Sequence, residues 1–481
     1  MDRKWRALII VCVAIFMLLL DITVVNVALP SIQKELHTSF TDLQWVVDAY
    51  ALTLAASTLI GGSLGDQLGR KRVFIAGVLL FTAASAACGA ATTPLVLNLA
   101  RGFQGLGGAI MFAVSLAILT QEFHGKERGT AFGIWGATIG AAVAIGPLVG
   151  GALTTWLGWR WIFYVNLPIG VLCAVGAMRV LHESRDEQHG GYDFPGFATF
   201  AGGLFALVLA LLRGNDWHWG SGREIALFAA AFVLLAAFVL LELRAPAPVF
   251  DVRLFRVPTF TGAQIVAFTI SAAMFAQFLY LTLYLQNELG YSPIQAGLRF
   301  LPLSLVSFFV APVAGRLSAQ FPVRVLLGVG LALNGVALLL MSRVNVHSGW
   351  TVLLPGFIVA GIGIGLVNPP LASTAVSVVE PRHAGMASGI NTTFRQVGIA
   401  TGIAALGAIF QSRIAAKLHG FASAKAVASG AVRGPIARAA FVGGLHEILL
   451  IAAFVAFAGA VLAFVLVRRR DFVASGPAVA G

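Results

Sequence analysis

Unbroken apolar runs of about twenty residues follow one another along this chain, and this pattern removes most folds from consideration. A helix rises about 1.5 Å per residue and needs about 20 apolar residues to cross the hydrocarbon of a bilayer. Fourteen stretches have that length: 7–29, 44–64, 73–91, 95–118, 129–151, 161–181, 195–212, 223–243, 260–286, 293–315, 323–342, 351–375, 384–410 and 442–467. The runs do not alternate apolar with polar, whereas the strands of a membrane barrel do and are about ten residues long. Composition agrees: 58% of residues are apolar, only 11% are charged, and the mean hydropathy is +0.89. A soluble domain carries about 25% charged residues. The expected class is an all-α integral membrane protein with 14 transmembrane helices, for which the lipid bilayer is the solvent.

Basic residues set the expected orientation, because cytoplasmic loops retain Lys and Arg. With the N-terminus inside, eighteen Lys and Arg fall in inside segments and ten outside. Half of the outside ones lie in the basic segment 411–441, whose Ala-rich character suits a surface helix on lipid headgroups. Arg468, Arg469 and Arg470 place the C-terminus in the cytoplasm, so both termini are expected there. A net charge of +12 would suggest nucleic acid in a soluble protein. Here it is accounted for by helix-end anchoring, and no nucleic-acid partner is expected. The opening MDRKWR and its long apolar run read as a first membrane helix, being too long for a cleaved signal and lacking a small-residue site. Cys12, Cys88 and Cys173 all fall inside apolar runs without a CxxC, which indicates packing rather than a disulfide or a metal.

A faint repeat divides the chain. GGSLGDQLGRKR (61–72) follows the second run and APVAGRLSAQFPVR (311–324) the tenth. If each half holds six helices, the organisation is 6 + 2 + 6. Residues 1–181 then form an N-terminal six-helix bundle, 182–259 an inserted helix pair with its flanking loops, and 260–481 a C-terminal six-helix bundle. Parallel six-helix repeats of this kind are a transporter architecture. The loops are too short for a soluble domain to fold alone.

Several polar groups stand where hydrocarbon should exclude them. Asp21 lies mid-span in LDITVVNVALP (20–30), where an ionised carboxylate costs several kcal/mol unless paired or wet. Two readings fit: a group that takes up and releases a proton, or a structural carboxylate locked in one ion pair. Arg101 and Gln104 share a face of LNLARGFQGLGGA (97–109) at i, i+3. An Arg at that depth needs an anion or carbonyl partner, and Asp21 is the candidate. Asp48 in QWVVDAY (44–50) lies about one turn inside the outer boundary, placed either to receive a cationic substrate or to reach headgroup water. Asn391 and Arg395 lie one above the other in the thirteenth run, and Asn368 stands beside two prolines in the twelfth. With Asn26, Asp48 and Gln104, these are the candidate lining of a substrate cavity. Glu447 reads as an outer-boundary carboxylate that could also join a proton path.

Glycines mark two further motifs. Gly62 and Gly69 permit a tight turn between the second and third helices, and Asp66 can pair with Arg70 as a latch made and broken between two states. The alternative is topology anchoring by Arg70, Lys71 and Arg72 alone. In GAAVAIGPLVGG (140–151), Gly140, Gly146 and Gly150 are small residues suited to close helix packing, and Pro147 interrupts the helical hydrogen-bond ladder. Gly125-Lys126 lacks the rest of a phosphate-binding loop, HEILL is not HExxH, and GxSxG is absent. No ATP, metal or other cofactor is therefore expected, and energy for transport would come from an ion gradient.

These motifs together resemble the major facilitator superfamily over almost the full length of the chain. They are most similar to the fourteen-helix drug:proton antiporters of the EmrB/QacA type. LDITVVNVALP, GGSLGDQLGRKR, LNLARGFQGLGG and GAAVAIGPLVGG carry the resemblance, with WRWIFYVNLP (159–168) and the stretch 391–396 also typical. The resemblance implies the major facilitator fold and export of small amphipathic, cationic drugs or antibiotics against protons, across the bacterial cytoplasmic membrane. It implies proton coupling by Asp21 and Arg101, a latch of Asp66 and Arg70, and an antiporter hinge at Gly146 and Pro147. The second-half loop departs from the pattern, with Ala319 where Asp66 has its counterpart, so a latch there would be weaker or missing. The rival expectations are a proton-coupled uptake symporter on the same fold and a membrane-embedded sensor or enzyme. The helix-five motif argues against the first, and the lack of a catalytic cluster or output domain against the second.

Overall fold

In the computed structural model, the apolar runs fold as long helices whose ends are set by local chemistry. The structure describes residues 2–123, 125–184, 194–245, 248, 250–318, 320–379, 384–418, 421–432 and 434–472. The long helices are α1 (Arg3–Leu36), α2 (Phe40–Leu68), α3 (Arg70–Gly89), α4 (Pro94–Glu122), α5 (Gly125–Trp156), α6 (Trp161–Val180) and α7 (Phe194–Trp217). They continue as α8 (Gly222–Arg244), α9 (Pro258–Glu288), α10 (Pro293–Leu317), α11 (Val323–Met341), α12 (Leu354–Ser377), α13 (Ala384–Leu418) and α14 (Pro435–Leu466). Counted over the described residues, twelve of them are long and apolar enough to cross a membrane: α1, α3, α4 and α6 to α14, with the α12 span counted from Trp350 and the α13 span from Met386. The other two, α2 and α5, have 29 and 32 residues and pack inside the same assembly.

Reciprocal capping boxes start two of the helices. The Ser39 hydroxyl accepts from Asp42 N–H while the Asp42 carboxylate accepts from Ser39 N–H, and Ser292 with Gln295 repeats the arrangement at α10. Thr93 caps α4 with Pro94 in its first turn, where a missing N–H costs nothing. The turn between α2 and α3 is Gly69 alone, at φ +108°, a conformation side chains disfavour. Gly62, expected to share that turn, lies inside α2, which stays helical through Leu68. In the segment 411–441, whose composition suits a surface helix, α13 extends to Leu418, a short helix spans Phe421–Ala428, and α14 begins at Pro435. That short helix does not simply rest on lipid headgroups, since Ala424, Val427 and Ala428 are buried in the main core.

Helices α2 and α3 pack along α4, and α1 along α5; in the second half α10 and α11 pack along α12, and α11 along α14. The inserted pair α7 and α8 pack on each other, and α7 leans on both α2 and α13. Large apolar side chains face outward, including Leu172, Phe232, Phe309 and Phe454, while the polar network described below is buried. That distribution suits hydrocarbon as the surrounding medium. Helix α9 widens into π-helical turns at Ser271–Phe275 and Tyr284–Glu288, a distortion often found at functional sites.

The halves meet at the end of the bundle opposite the chain termini, and deeper along α2 the Thr393 hydroxyl of α13 donates to the Ala55 carbonyl at 3.1 Å. Gln286 of α9 donates to the Val27 carbonyl of α1 at 2.7 Å, Gln44 of α2 donates to the Ile403 carbonyl of α13 at 2.9 Å, and the Ile294 N–H donates to the Thr155 hydroxyl at 3.0 Å. Helices α5 and α10 touch through glycine: a β-carbon on Gly151 would stand 2.6 Å from the Pro293 carbonyl oxygen, and one on Gly297 would meet the Pro147 carbonyl. Gly151→Val is therefore expected to disfavour this closed end by about 1–3 kcal/mol, the usual cost of overpacking. Spin labels on the exposed positions Trp156 and Leu298 should report a longer, broader distance in the variant. An unchanged distribution would mean that the contact is not what holds the ends together.

Candidate functional site

The polar groups of the first half converge on one enclosed network. Asp21 of α1 and Arg101 of α4 are both about 1% exposed. Arg101 Nη1 donates to Asp21 Oδ2 at 2.5 Å and to Gln104 Oε1 at 2.7 Å, and Arg101 Nε donates to the Val46 carbonyl at 2.9 Å. The i, i+3 spacing of Arg101 and Gln104 brings both side chains to the same acid, and Gln104 Nε2 donates to Asp21 Oδ1 at 2.9 Å. The Tyr50 ring lies under the guanidinium, 4.2 Å from ring centre to Cζ, so its negative face adds to the compensation of the cation.

Two groups that sequence reasoning missed complete the network. Asn166 Nδ2 of α6 donates to Asp21 Oδ1 at 3.3 Å and to the Ser85 hydroxyl at 3.0 Å. Ser85 of α3 also accepts from Gln104 Nε2 and itself donates to the Phe163 carbonyl. Five helices, α1, α2, α3, α4 and α6, therefore join in one network around this carboxylate. A signal for Asn166 was available in WRWIFYVNLP, the one amide of that motif. Ser85, in an Ala-rich stretch, offered none.

Glycine makes this approach possible. A β-carbon on Gly105 of α4 would run into the Tyr50 carbonyl and the Thr53 hydroxyl of α2, and one on Gly108 would stand 3.2 Å from the Tyr50 hydroxyl. The GxxG of the fourth helix thus sets the depth at which Arg101 sits against α2. On α5, a β-carbon at Gly146 would meet Thr23 and one at Gly150 would lie 2.7 Å from Val24 Cα. The motif that also holds Gly140 and Pro147 therefore packs α5 against the residues flanking Asp21 on α1, and α5 remains helical through Pro147.

The remaining candidates do not join this network. Asn26 donates to the Ile22 carbonyl in its own helix. Asn391 of α13 donates to Gln264 of α9 at 3.1 Å, and Arg395 donates to Asn368 of α12 at 2.9 Å. Asn391 and Arg395, one above the other on α13, thus turn to different neighbours. Asp48 is fully buried, and among the described residues neither of its carboxylate oxygens has a hydrogen-bond partner. Headgroup water does not reach it in this arrangement, which corrects the boundary reading; the enclosure comes from the packing of α2 against α13.

The Asp66 side chain lies outside the described residues, as does Ala319. Around the expected latch, the Arg70 N–H donates to the Ser184 carbonyl and the Lys71 N–H to Glu183 Oε1, with Glu183 also 3.5 Å from Arg72. A carboxylate at the positive end of α3 is favourable, and Glu183, after α6, was not anticipated. Glu447 forms an ion pair with Arg413 at 2.6 Å, both partly exposed. Surface pairs of this kind contribute about 0–1 kcal/mol. Glu447→Gln is accordingly expected to leave transport within about twofold of wild type, a change of less than about 0.5 kcal/mol at about 1.4 kcal/mol per decade. A tenfold loss in a vesicle transport assay would instead place Glu447 on a proton path.

The model of the Major Facilitator Superfamily matches residues 11–403. The chain is 36% identical over 475 residues to the puromycin resistance protein of Streptomyces alboniger, covering 97% of this chain and 92% of that protein. It is 33% identical over 413 residues to the tetracenomycin C resistance and export protein of Streptomyces glaucescens, covering 86% and 77% respectively. Among solved structures, a bacterial homologue of the human lysosomal transporter Spinster superposes with a TM-score of 0.64 at 17% identity, covering 98% of this chain and 99% of that one.

Proposed function

This chain belongs to the major facilitator superfamily, and from that premise we propose that it is a proton-driven antiporter exporting amphipathic, cationic drugs or antibiotics by alternating access. In this reading α2 and α5 cross the membrane with the other twelve helices. Both termini are cytoplasmic, and residues 1–181 and 260–481 are the two moving bundles, with 182–259 inserted between them. The membrane is the bacterial cytoplasmic membrane. Relatives named for antibiotic resistance and export support the direction and the substrate class.

The observation that carries the coupling is the enclosed Asp21–Arg101–Gln104 network. A carboxylate and a guanidinium in low dielectric neutralise one another, so adding a proton to Asp21 leaves the bundle one charge more positive. Charges interact strongly where water is excluded. A cationic substrate in the cavity therefore binds better while Asp21 is ionised, and a proton on Asp21 weakens that binding. Two ligands that favour different states of one protein are coupled by mass action. Arg101, Gln104 and Asn166 position the carboxylate by direct hydrogen bonds, with Ser85 behind Gln104 and Asn166, until the bundle rearranges. The hinge at Gly146 and Pro147 and the latch at Asp66 and Arg70 belong to that rearrangement.

Direction is tested in cells. Expression should lower the steady-state accumulation of a cationic dye such as ethidium, and collapse of the proton gradient should restore it. Higher accumulation on expression would favour the uptake symporter instead.

A further inference from the structure

A second acid lies at the seam between the two halves. Asp48 and Gln44 are one turn apart on α2 and share a face. Gln44 Nε2 reaches across to the Ile403 carbonyl of α13, and Tyr280 of α9 donates to the same carbonyl at 2.6 Å. A β-carbon on Gly407 would collide with both the Gln44 amide and the Tyr280 hydroxyl, so the three helices touch here with no room to spare. Asp48 is sealed behind this contact with 0% exposure.

Among the described residues, its surroundings supply no compensation. Asp48 is fully buried, and among the described residues neither of its carboxylate oxygens has a hydrogen-bond partner. The titratable group at the same seam is Tyr280, whose hydroxyl is spent on the Ile403 carbonyl. On the other elements packed against α2, Asp21 and Arg101 are bound to each other, and Arg395 is bound to Asn368. A buried ionised carboxylate without a partner is strongly disfavoured, and neutralisation by a proton removes the penalty.

We propose that Asp48 is a second proton-binding site, acting as the lock of the seam at the end opposite the termini: the seam closes only over a protonated Asp48, and loss of that proton drives it open. The proposal rests on the export reading for its direction. There the seam faces outside, and an empty transporter that has released substrate can close again only after an external proton binds Asp48. Proton entry is thereby made obligatory on the return leg, which prevents idle cycling. Asp21 and Asp48 then divide the work, one acting on substrate affinity and the other on the gate.

The test uses purified full-length protein in lipid nanodiscs with no substrate present. Spin labels at the exposed positions Lys34 of α1 and Ser412 of α13 read the width of the seam from mildly acidic to mildly alkaline pH. In the wild type, the long-distance population should rise at least about fivefold with pH, as ionisation makes the closed form unfavourable. Asp48→Asn and Asp48→Leu should each abolish that response and remain closed, while Asp48→Glu should retain it. A wild-type distribution insensitive to pH overturns the proposal whatever the variants do. A response that survives Asp48→Asn, or one abolished by Asp21→Asn instead, overturns it as well. No transport is measured, so failure of the export reading and failure of the lock are distinguishable.

Discussion

Asp21→Asn is expected to abolish uphill, gradient-driven export, a loss of at least about a hundredfold, or roughly 2.7 kcal/mol, while the protein still folds and inserts. Asparagine matches the volume of the acid, and its single oxygen can still accept from Arg101 or from Gln104, which reach different oxygens of the acid, so the packing is preserved while one of these hydrogen bonds is lost. What it cannot do is change charge. Downhill exchange of substrate between the two faces should therefore persist at a rate near wild type, because binding and rearrangement do not need a proton on Asp21 and Asp48 can still be protonated. Vesicles that load substrate against a gradient as well with the Asp21→Asn variant as with the wild type would remove the carboxylate from the coupling mechanism. The split between lost accumulation and retained exchange separates a coupling role from a purely structural one, which would lower both.

Arg101→Met is expected to give the largest loss of stability. The guanidinium is the sole cation in hydrogen-bond contact with Asp21 among the described residues, and its removal leaves a buried carboxylate held by Gln104 and Asn166 alone. Breaking a buried pair from one side typically costs about 3–5 kcal/mol, because the surviving charge is stranded. Arg101→Lys should recover only part of this. A single ammonium on a flexible stem cannot reproduce donation to Val46, Asp21 and Gln104 from one rigid plane. The double variant Asp21→Asn with Arg101→Met should be more stable than Arg101→Met alone, by roughly half the single-variant loss, since no unpaired anion remains. Thermal unfolding in detergent would check the series. A double variant no more stable than Arg101→Met would mean that lost packing of the Arg stem, rather than the stranded charge, dominates.

Much of this was readable from the sequence because a helix that crosses a membrane must reach a minimum apolar length. The fourteen apolar runs and the observed helices agree to within several residues at most ends, and the larger discrepancies have local causes. Polar residues bound the runs, but helices continue past the hydrocarbon wherever backbone groups can still pair. Thus α13 extends to Leu418 and α1 to Leu36, each with a lysine in its last turn. The Asp21–Arg101 contact was legible for a physical reason: two opposite charges stranded deep in apolar runs have few solutions other than each other. Asn166, Ser85 and Tyr50 were not, because nothing about a single amide, hydroxyl or ring says which helix it will face. The isolation of Asp48 was invisible for the same reason. Its depth along α2 could be counted, but its enclosure depends on α9 and α13, which lie far along the chain in the second half.

Gly62 teaches the converse lesson. Two glycines at a helix–helix boundary both suit a turn, yet only Gly69 takes up a positive φ. A helix that carries α2 to Leu68 leaves Gly62 no such need.

The central claim is that proton movement inward is what lifts substrate outward. It is tested most directly with purified protein in sealed proteoliposomes, by imposing a pH gradient and following both a cationic dye and the internal pH. Dye should accumulate in the more acidic compartment only while the gradient lasts, with protons leaving that compartment as it does so. Both signals should vanish with Asp21→Asn. Uphill dye movement at full rate with equal pH on both sides would contradict the claim.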